Sequence, residues 1–446
     1  MTDTIFALSS APGRAGVAVL RLSGPAAHGV ALSLSNRDAL KPRHAHLATL
    51  SDPADGAHLD QVILLSFPAP HSFTGEDVVE VHAHGGPATV SALLAVLGQQ
   101  PGLRLAEPGE FTRRAFHNDR LDLAEAEGLA DLIHAETEHQ RKQALRQMEG
   151  ALSQQVEQWR AMLIGALAHI EADIDFSDED LPDGVADAVR PKIVALHNEL
   201  TASLASKGGE RVRQGISVVV TGPPNAGKSS FINRLIGRDA VIVSAEPGTT
   251  RDLVDLHLDL GGAPIILTDT AGIRDADGIV EAEGIRRAQH RVAQADLVLH
   301  MVDGANPVQP VLGDGPALVL VSKRDRADGL DNLASGWADE LGVPVAALSM
   351  KSDDGWDAAV GALENLVQDL TAIGTGDGAV LTRARHRQAV AACAEGLARF
   401  LAADGLPEEL VAEELRLAMR ALGRITGRVD VEDLLDVVFS DFCIGK

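Results

Sequence analysis

Short apolar runs separated by glycine and proline dominate the beginning of the chain. Residues 17–20 and 62–65 are such runs, and the breakers at residues 85–87 are followed by a helical pattern over residues 88–97. Apolar runs of this length, bounded by Gly and Pro, are typical of β-strands, and proline favours the first turn of a helix. The pattern therefore predicts an α+β domain over residues 1–118.

Helical spacing of apolar residues begins after this first domain. Asn118 or Asp119 can cap a helix whose apolar residues recur every three or four positions through residues 121–133, and similar patterns continue beyond it. The glycine pair 208–209 interrupts the helical pattern and predicts a hinge. We therefore expect a first helical segment over residues 119–213.

Strands and helix-length segments alternate over residues 214–371. Residues 216–220 are a continuous apolar run typical of a buried strand, whereas apolar residues alternate with Asp and His over residues 254–260, as in a half-exposed strand. Further strands are predicted at residues 265–267, 297–302, 317–321 and 345–348. Strands that are separated by helices indicate a doubly wound, mostly parallel sheet.

Helical patterns return after a glycine-rich linker at residues 374–378. They are predicted over residues 381–401, 407–422 and 431–439. Because helices flank the α/β segment on both sides, we expect residues 119–213 and 372–446 to form one helical bundle that an α/β domain interrupts. The predicted fold is therefore a multi-domain combination of α+β, helical and α/β parts.

Composition and charge exclude several classes of protein. The 446 residues are 45% hydrophobic and 23% charged, as in a folded globular chain, which excludes disorder as the main state. The formal net charge of −25 argues against coating of nucleic acid or of an anionic membrane, because both need a broad basic surface. A local basic patch for one structured RNA stays open, and its candidates are Arg113, Arg114, Arg141 and Lys142.

Cysteine usage and hydropathy indicate a cytoplasmic protein. Cys393 and Cys443 lack the CxxC spacing of zinc sites and are too few for a disulfide framework. The chain starts without the basic region and apolar stretch of a signal peptide, and no apolar run approaches the ~18 residues that span a bilayer. We therefore expect a cytoplasmic location without membrane association.

Residues 222–229 match the phosphate-binding pattern GxxxxGK(S/T) between a predicted strand and a predicted helix. Backbone amides of such a loop and of the helix N-terminus face the phosphates of a nucleotide. We expect Lys228 to reach the β and γ oxygens and the Ser229 hydroxyl to bind Mg²⁺. This context favours a nucleotide site over a chance glycine-rich turn.

Three later segments indicate guanine as the base. Residues 269–272 fit the DxxG pattern, in which the Asp holds the water shell of Mg²⁺. The segment from Ser322 to Asp325 resembles NKxD, and a buried Asp325 would accept from guanine N1–H and the 2-amino group but would be left unpaired by adenine. Ser322 replaces the usual Asn. Residues 349–351 stand where GTPases have SAK, with Met350 as a second departure.

A switch loop is expected at residues 248–252, between the first helix and the alternating strand. Thr250 is the candidate for a second hydroxyl on Mg²⁺ when GTP orders the loop. Ile273 follows the DxxG segment, so a glutamine that orients the attacking water does not stand there. Glu281 and Glu283 follow in an acidic, glycine-containing stretch and offer carboxylates instead.

Specific motifs occur along the whole chain. They include SFTGEDVVE, PGEFTRRAFHNDRLDLAEAEG, GPPNAGKSS, GTTRD and the terminal FCIGK. In these motifs the chain resembles the MnmE (TrmE) family of tRNA modification GTPases. The resemblance implies a folate-binding N-terminal α+β domain, a helical bundle interrupted by a P-loop (Ras-like) GTPase domain, and a homodimer. It also implies that potassium-dependent association of two GTPase domains activates hydrolysis.

The resemblance assigns nucleotide and metal contacts. The nucleotide-binding residues would be Asn225, Ala226, Gly227, Lys228, Ser229, Ser230, Ser244, Thr249, Thr250, Asp269, Thr270, Ala271, Gly272, Ser322, Lys323, Asp325, Ser349, Met350 and Lys351. Mg²⁺ would be held by Ser229 and Thr250. K⁺, in the place of an arginine finger, would be held by Asn225, Ser244, Glu246 and Thr249.

The resemblance to the family also assigns catalytic and folate-binding residues. The catalytic residues would be Lys228, Glu281, which orients the attacking water, and Cys443 near the folate. The folate contacts would be Arg21, Glu80, Arg120 and Lys446. The folate would be 5,10-methylene-tetrahydrofolate or 5-formyl-tetrahydrofolate. Arg120 stands where the family often has Lys, which keeps the charge but changes the geometry of its hydrogen bonds.

The implied reaction adds an aminomethyl or carboxymethylaminomethyl group to C5 of the wobble uridine of tRNA, together with the flavoprotein MnmG (GidA). Two alternatives stay open. One is a switch of the ribosome-assembly type, which would have no need for the folate-type domain and the FCIGK terminus. The other is a folate-binding scaffold with a vestigial GTPase domain, which would account for Ser322 and Met350.

Overall fold

The computed structural model describes residues 3–175, 185–238, 255–269, 290–371, 380–403 and 407–429, together with residues 435, 436, 438, 439, 442, 444 and 445. The chain forms two compact units. The first comprises Met1–Ala130, Gln147–Val156 and Leu422–Lys446, and the second comprises Asp131–Arg146 and Glu157–Ala421. Each unit contains a six-stranded sheet.

The sheet of the first unit is mostly antiparallel. Its strands are β1 (Thr4–Leu8), β2 (Ala15–Ser23), β3 (His46–Ser51), β4 (His58–Phe67), β5 (Val78–Gly85) and β6 (Leu103–Leu105). The strand order is β3-β4-β5-β2-β1-β6, and β1 and β6 pair in parallel. The predicted strands at residues 17–20 and 62–65 lie within β2 and β4.

Two helices pack on this sheet, α1 (Ala27–Ser35) and α2 (Pro87–Gly98). They share one apolar core with the strands, and this core includes Leu34 of α1, Leu93 of α2 and Leu20 of β2. Side chains alternate between the two faces of a strand, so Leu20 and Leu22 of β2 are both buried in this core. The predicted α+β domain is confirmed.

The next helices begin and end at other residues than the sequence suggested. Helix α3 (Glu110–His117) ends at Asn118, and α4 (Leu123–His134) begins after Asp122. The Asp122 carboxylate accepts the Glu125 amide at 2.9 Å, and the Glu125 carboxylate accepts the Asp122 amide at 2.8 Å, which is a capping box. The predicted cap at Asn118 or its neighbour is therefore wrong, because Asn118 closes the preceding helix.

Helices from both sides of the α/β segment pack together. Before the α/β segment they are α5 (Glu138–Met148), α6 (Ala151–Asp175), α7 (Val185–Ala205) and α8 (Gly208–Gln214), and after it α12 (Ala384–Ala402) and α13 (Glu408–Thr426). The α/β segment itself contains α9 (Lys228–Arg238), α10 (Leu330–Leu341) and α11 (Trp356–Thr371). Helix α12 packs along α7, where Arg387 donates to the Leu204 and Ser206 carbonyls. Arg416 of α13 pairs with Glu171 of α6 at 2.8 Å. The interrupted helical bundle is confirmed.

The glycine pair 208–209, where the sequence predicts a hinge, begins α8 after a two-residue break from α7, and Gly209 also serves close packing. A Cβ on Gly209 would lie 2.1 Å from Cγ1 of Val380 and 2.7 Å from the carbonyl oxygen of Leu381. The side-chain amide of Gln143 donates to the Gly209 carbonyl at 3.0 Å. Gly209 therefore lets the segments before and after the α/β insertion approach each other closely.

The sheet of the second unit is mostly parallel. Its strands are β7 (Ile216–Thr221), β8 (Asp255–Leu260), β9 (Ala263–Asp269), β10 (Leu297–Asp303), β11 (Ala317–Ser322) and β12 (Val345–Ala347). The order is β12-β11-β10-β7-β9-β8, with β8 antiparallel to β9 and the other pairs parallel.

Alternate residues of β11 enter two different cores. Leu320 packs in the core that contains Phe231 of α9 and Trp356 of α11, whereas Val321 packs in the core that contains Trp337 of α10. Helices therefore cover both faces of the sheet, which confirms the doubly wound prediction. Within the described ranges, the chain has no helix that is both long and apolar enough to cross a membrane.

Candidate functional site

The carboxyl ends of four parallel strands meet at one edge of the second sheet. β7 ends at Thr221, β10 at Asp303, β11 at Ser322 and β12 at Ala347. Open α/β sheets bind ligands outside this edge, in the loops that follow the strands. The predicted phosphate loop and both predicted base-recognition segments follow these strands, so the fold brings them to the same edge.

The loop after β7 has a backbone that most residue types do not adopt. Gly222 has a φ of +144°, and a Cβ there would lie 2.2 Å from the carbonyl oxygen of Met301. Asn225 has a φ of +63°, Gly227 has a φ of +98°, and Ala226 between them is buried. Successive amides in such a turn point to one side and bind anions. The loop therefore has the backbone of a phosphate-binding loop.

Lys228 begins α9 directly after this loop. Its Nζ donates to the carbonyls of Gly222 at 2.9 Å and Pro223 at 3.0 Å, and the residue is 9% exposed. The ammonium is thereby held beside a helix N-terminus, whose amides and dipole also attract anions. Ser229 and Ser230 follow as exposed residues of the first turn. This arrangement suits the phosphates of a nucleotide.

The two base-recognition segments contact each other. The buried Ser349 hydroxyl donates to Oδ1 of Asp325 at 3.0 Å and accepts the amides of Lys351 at 3.1 Å and Ser352 at 3.3 Å. Ser349 therefore fixes one oxygen of the Asp325 carboxylate and organises the turn after β12. The two segments follow β11 and β12, which are neighbours in the sheet, and strand order therefore places them side by side.

Asp325 is less buried than the sequence pattern predicts. Its side chain is 27% exposed, so the expected penalty for an unpaired carboxylate is reduced by contact with water. Ser322, which stands in place of Asn, is fully buried and donates to the Val302 carbonyl at 3.0 Å. Met350 packs against the apolar core and stands close to Gly227 of the phosphate loop. Both departures from the family pattern therefore have structural roles here.

Arg234 of α9 links the helix after the phosphate loop to the turn after β12, and it belongs to none of the nucleotide-binding motifs in the sequence. Its guanidinium lies over the Trp356 ring, 4.4 Å from the centroid. It donates to the carbonyls of Ser349 at 3.0 Å and Ser352 at 2.7 Å. The sequence places Arg234 one helical turn after Phe231. In the structure the Phe231 ring lies 5.4 Å from the Trp356 ring that Arg234 covers. The local sequence around Arg234 does not predict that it binds the Ser349 and Ser352 carbonyls.

Several predicted site residues lie outside the described residues. They are Ser244, Glu246, Thr249, Thr250, Thr270, Ala271, Gly272, Glu281, Cys443 and Lys446. Asp269 is the last residue of β9. In the part of the chain that the structure describes, no three His, Cys, Asp or Glu side chains come together as a metal site. The predicted Mg²⁺ and K⁺ ligands therefore stay predictions.

The predicted folate residues Arg21 and Glu80 lie together in the first unit. They are register partners on β2 and β5, and Nη2 of Arg21 donates to Oε1 of Glu80 at 2.9 Å. The guanidinium carbon of Arg21 lies 5.3 Å from the ring centroid of Phe73 and 5.7 Å from that of Phe111. His82 Nε2 lies 3.3 Å from Oε2 of Glu80. This cluster combines charge, hydrogen-bonding groups and aromatic faces.

The described C-terminal residue Gly445 lies against the end of β1 in the same sheet. The Ser9 hydroxyl donates to the Gly445 carbonyl at 2.9 Å. Gly445 has a φ of +101°, and a Cβ there would lie 2.1 Å from the carbonyl oxygen of Leu8 at the end of β1. Arg120 is exposed and lies beside Gly75. The structure thus brings the C-terminal segment to the strand that pairs with β2.

Arg114 is not part of an exposed basic patch. It is fully buried and pairs with Asp3 at 3.1 Å, Glu76 at 3.0 Å and Glu110 at 3.0 Å. Its neighbour Arg113 is 30% exposed and pairs with Asp436. Arg114 as a candidate RNA contact is therefore wrong, because its charge is already neutralised within the first unit.

The strand order, the phosphate loop and the Asp325–Ser349 contact define a P-loop nucleotide-binding protein of the GTPase fold class. Its α/β part is inserted into a helical region that follows an α+β domain. A family model described as the MnmE helical domain matches residues 123–443, and one described as the GTP-binding protein TrmE N-terminus matches residues 4–120. The chain belongs to the MnmE (TrmE) family.

Individual relatives cover essentially the whole chain. A tRNA modification GTPase MnmE from Parvibaculum lavamentivorans is 54% identical over 447 residues, which is 100% of both chains. Another from Paramagnetospirillum magneticum is 51% identical, again over 100% of both chains. A human mitochondrial protein named as a 5-taurinomethyluridine tRNA synthase subunit is 47% identical over 99% of this chain and 93% of its own.

Proposed function

We propose that this protein hydrolyses GTP and that hydrolysis drives modification of the wobble uridine of tRNA. The single observation that carries the proposal is the phosphate loop with Lys228 at the same sheet edge as Asp325 and Ser349. The names of the two bacterial relatives describe tRNA modification GTPases. The product would carry an aminomethyl or carboxymethylaminomethyl group on C5 of uridine.

Guanine recognition is assigned to the Asp325 carboxylate. The Ser349 hydroxyl donates to Oδ1, and Oδ2 lies 3.9 Å from Nε of the exposed Arg326, so among the described residues neither contact blocks the outer lone pairs of the carboxylate. A carboxylate accepts hydrogen bonds with both oxygens, so Oδ1 and Oδ2 together can receive guanine N1–H and the 2-amino group. Adenine presents an acceptor at N1 and cannot make this pair. We therefore expect GTP to be preferred over ATP.

Phosphate and ion contacts complete the proposed hydrolytic centre. The fit to a nucleotide rests on the left-handed turn at Asn225 and Gly227 and on the ammonium of Lys228. We assign Mg²⁺ to Ser229 and Thr250, and K⁺ to Asn225, Ser244, Glu246 and Thr249. When bound, these cations offset negative charge that develops on the phosphates. We assign orientation of the attacking water to Glu281.

A reduced folate is the proposed one-carbon donor, as 5,10-methylene-tetrahydrofolate or 5-formyl-tetrahydrofolate. The fit rests on the Glu80 carboxylate, 19% exposed, which can accept from the amino-pyrimidinone edge of a pterin. Arg21 orients this carboxylate, and we assign Arg120 and Lys446 to further contacts. Cys443 is proposed to act near the folate, because the last described residues of the C-terminal segment lie against Leu8 and Ser9.

The proposed assembly is a cytoplasmic homodimer that works with the flavoprotein MnmG on tRNA. The synthase-subunit name of the human relative describes a protein that works within a complex. With a net charge of −25, this chain would leave most of the RNA contact to its partner. We divide the chain into a folate domain at residues 1–118, helical segments at 119–213 and 372–446, and a GTPase domain at 214–371.

Mass analysis of tRNA nucleosides tests this function. Cells that lack the gene should lose the modified wobble uridine, and a plasmid copy of the wild-type chain should restore it. A plasmid copy with Lys228→Ala should fail to do so, whereas a copy with Lys207→Ala, away from the loop, should succeed. Unchanged wobble uridine in the deletion strain would reject the modification role.

A further inference from the structure

The loops after β10 and β11 are hydrogen-bonded to each other at the carboxyl edge of the second sheet, where the proposed nucleotide site lies. The Gly304 amide donates to the Ser322 carbonyl at 3.1 Å, and a Cβ on Gly304 would lie 2.1 Å from that carbonyl oxygen. One Asp303 oxygen accepts Nζ of Lys323 at 2.5 Å, and the other accepts the Ala305 amide at 3.0 Å. Asp303 thus joins the backbone of its own loop to the side chain of the next one.

Lys323 has an unusual backbone conformation. Its φ is +59°, in the left-handed region that disfavours residues other than glycine. Such a conformation persists only where the surroundings determine it. The amide of Arg324 donates to the Leu348 carbonyl at 3.2 Å, and the ion pair with Asp303 holds the lysine side chain. This constrained turn stands two residues before Asp325.

Asp303 and Lys323 form a partly exposed ion pair at neutral pH. The hydrogen bond from Lys323 lowers the pKa of Asp303 from its usual value, so the carboxylate is charged at neutral pH. The Ser322 hydroxyl donates to the Val302 carbonyl and is buried. Arg324 in the same segment pairs with Asp331 at 2.8 Å and Asp354 at 3.1 Å, so we take Lys323 and Asp325 as the side chains that face a base.

We propose that Asp303 is a positioning residue for guanine nucleotide binding and that it acts through Lys323. With its ammonium on Asp303, the lysine keeps its four-carbon stem against one face of the base whose edge Asp325 binds. Apolar stems of lysine cover flat apolar surfaces while the ammonium binds elsewhere. The proposal rests on the proposed function, because it needs guanine at Asp325.

The test is a double-mutant cycle in the full-length protein. Affinities for a fluorescent GDP and a fluorescent non-hydrolysable GTP analogue are measured for wild type, Asp303→Ala, Lys323→Ala and the double variant. We expect each single variant to bind about tenfold more weakly and the double variant no more weakly than Lys323→Ala, because coupled residues are non-additive. KM for GTP should rise by the same factor, with kcat at saturation nearly unchanged. Asp328→Ala, an exposed acid in the following loop, should match wild type.

Three outcomes would overturn the proposal. They are wild-type affinity in Asp303→Ala, a further loss when Asp303→Ala is added to Lys323→Ala, and a fall in kcat without a rise in KM. If Asp303→Ala does not fold, Asp303→Asn replaces it, since Asn keeps the size and an acceptor oxygen; the weaker binding is still expected, and wild-type affinity overturns the proposal. Failure of the wild-type protein itself to bind either guanine nucleotide would instead reject the proposed function.

Discussion

Arg21 and Glu80 face each other across the β2–β5 pairing, and Nε and Nη2 of Arg21 both donate to Oε1 of Glu80, at 3.2 and 2.9 Å. Their side chains are 20% and 19% exposed, so the ion pair is partly shielded from water. Charge-assisted hydrogen bonds of this kind fix the plane of a carboxylate. The pair is therefore a preorganised acceptor at the site proposed for folate.

Replacing the arginine of this pair should weaken folate binding. Without Arg21 the Glu80 carboxylate loses two hydrogen bonds and can rotate, so we expect Arg21→Ala to bind 5-formyl-tetrahydrofolate at least about tenfold more weakly. Isothermal titration calorimetry measures the affinity. Arg14→Ala removes an exposed arginine of the same domain and serves as the control. Equal affinity of both variants and wild type would remove Arg21 from the folate site.

Adjacent arginines should differ sharply in their effect on stability. Arg114 is fully buried among Asp3, Glu76 and Glu110, so Arg114→Ala should lower the free energy of unfolding by about 3–5 kcal/mol. Arg113 is partly exposed, and Arg113→Ala should cost under about 1 kcal/mol. Urea denaturation compares them directly. Similar values for both variants would contradict the assigned burial.

The same cluster should make the first unit sensitive to acid. Burial raises the pKa of Glu110, but hydrogen bonds from Arg104, the Glu107 amide and Arg114 lower it more, so the net pKa lies below 4.5. A lowered pKa in the folded state stabilises the fold above the unfolded value, and this stability is lost as the pH falls through the folded pKa. We expect Glu110→Gln to be less stable at pH 7 and to lose less stability on acidification. Parallel pH profiles of variant and wild type would refute this.

A change of base preference should follow from a change at Asp325. Asn offers an amide in place of one carboxylate oxygen, so it can donate to the C2 carbonyl of xanthine but repels the 2-amino group of guanine. Asp325→Asn should therefore weaken GTP binding by at least about tenfold and improve XTP binding. Competition binding with both nucleotides measures the shift. Asp328→Asn is the control, and an unchanged GTP preference in Asp325→Asn would place the base elsewhere.

Local chemistry explains which parts of the site could be predicted. The phosphate loop needs its glycines and Lys228 in consecutive positions, so the pattern alone located it. Asp325 and Ser349 follow parallel strands, and strand order brought them together. Arg234 binds the turn after β12, which is far from it in the sequence. Arg114 is buried next to the partly exposed Arg113 because distant acidic residues pair with it. No periodicity in the sequence carries that information.

The boundaries of helices were harder to predict than their existence. Asn118 has the chemistry of an N-cap, but the residues before it already form α3, so it ends one helix while Asp122 begins the next. The glycines at 208–209 have the composition of a hinge, yet Gly209 is required by Val380 and Leu381, which lie far along the chain. In both cases a contact outside the local sequence pattern sets the role that the residue has in the fold.

Steady-state nucleotide hydrolysis by the purified full-length protein tests the central claim most directly. The wild type and Lys228→Ala are assayed with GTP and ATP, each in KCl and in NaCl. We expect the wild type to hydrolyse GTP, to do so faster in KCl, and to lose at least about a hundredfold in rate on Lys228→Ala, with Lys207→Ala unaffected. Cleavage that survives Lys228→Ala, or a preference for ATP, would contradict the account.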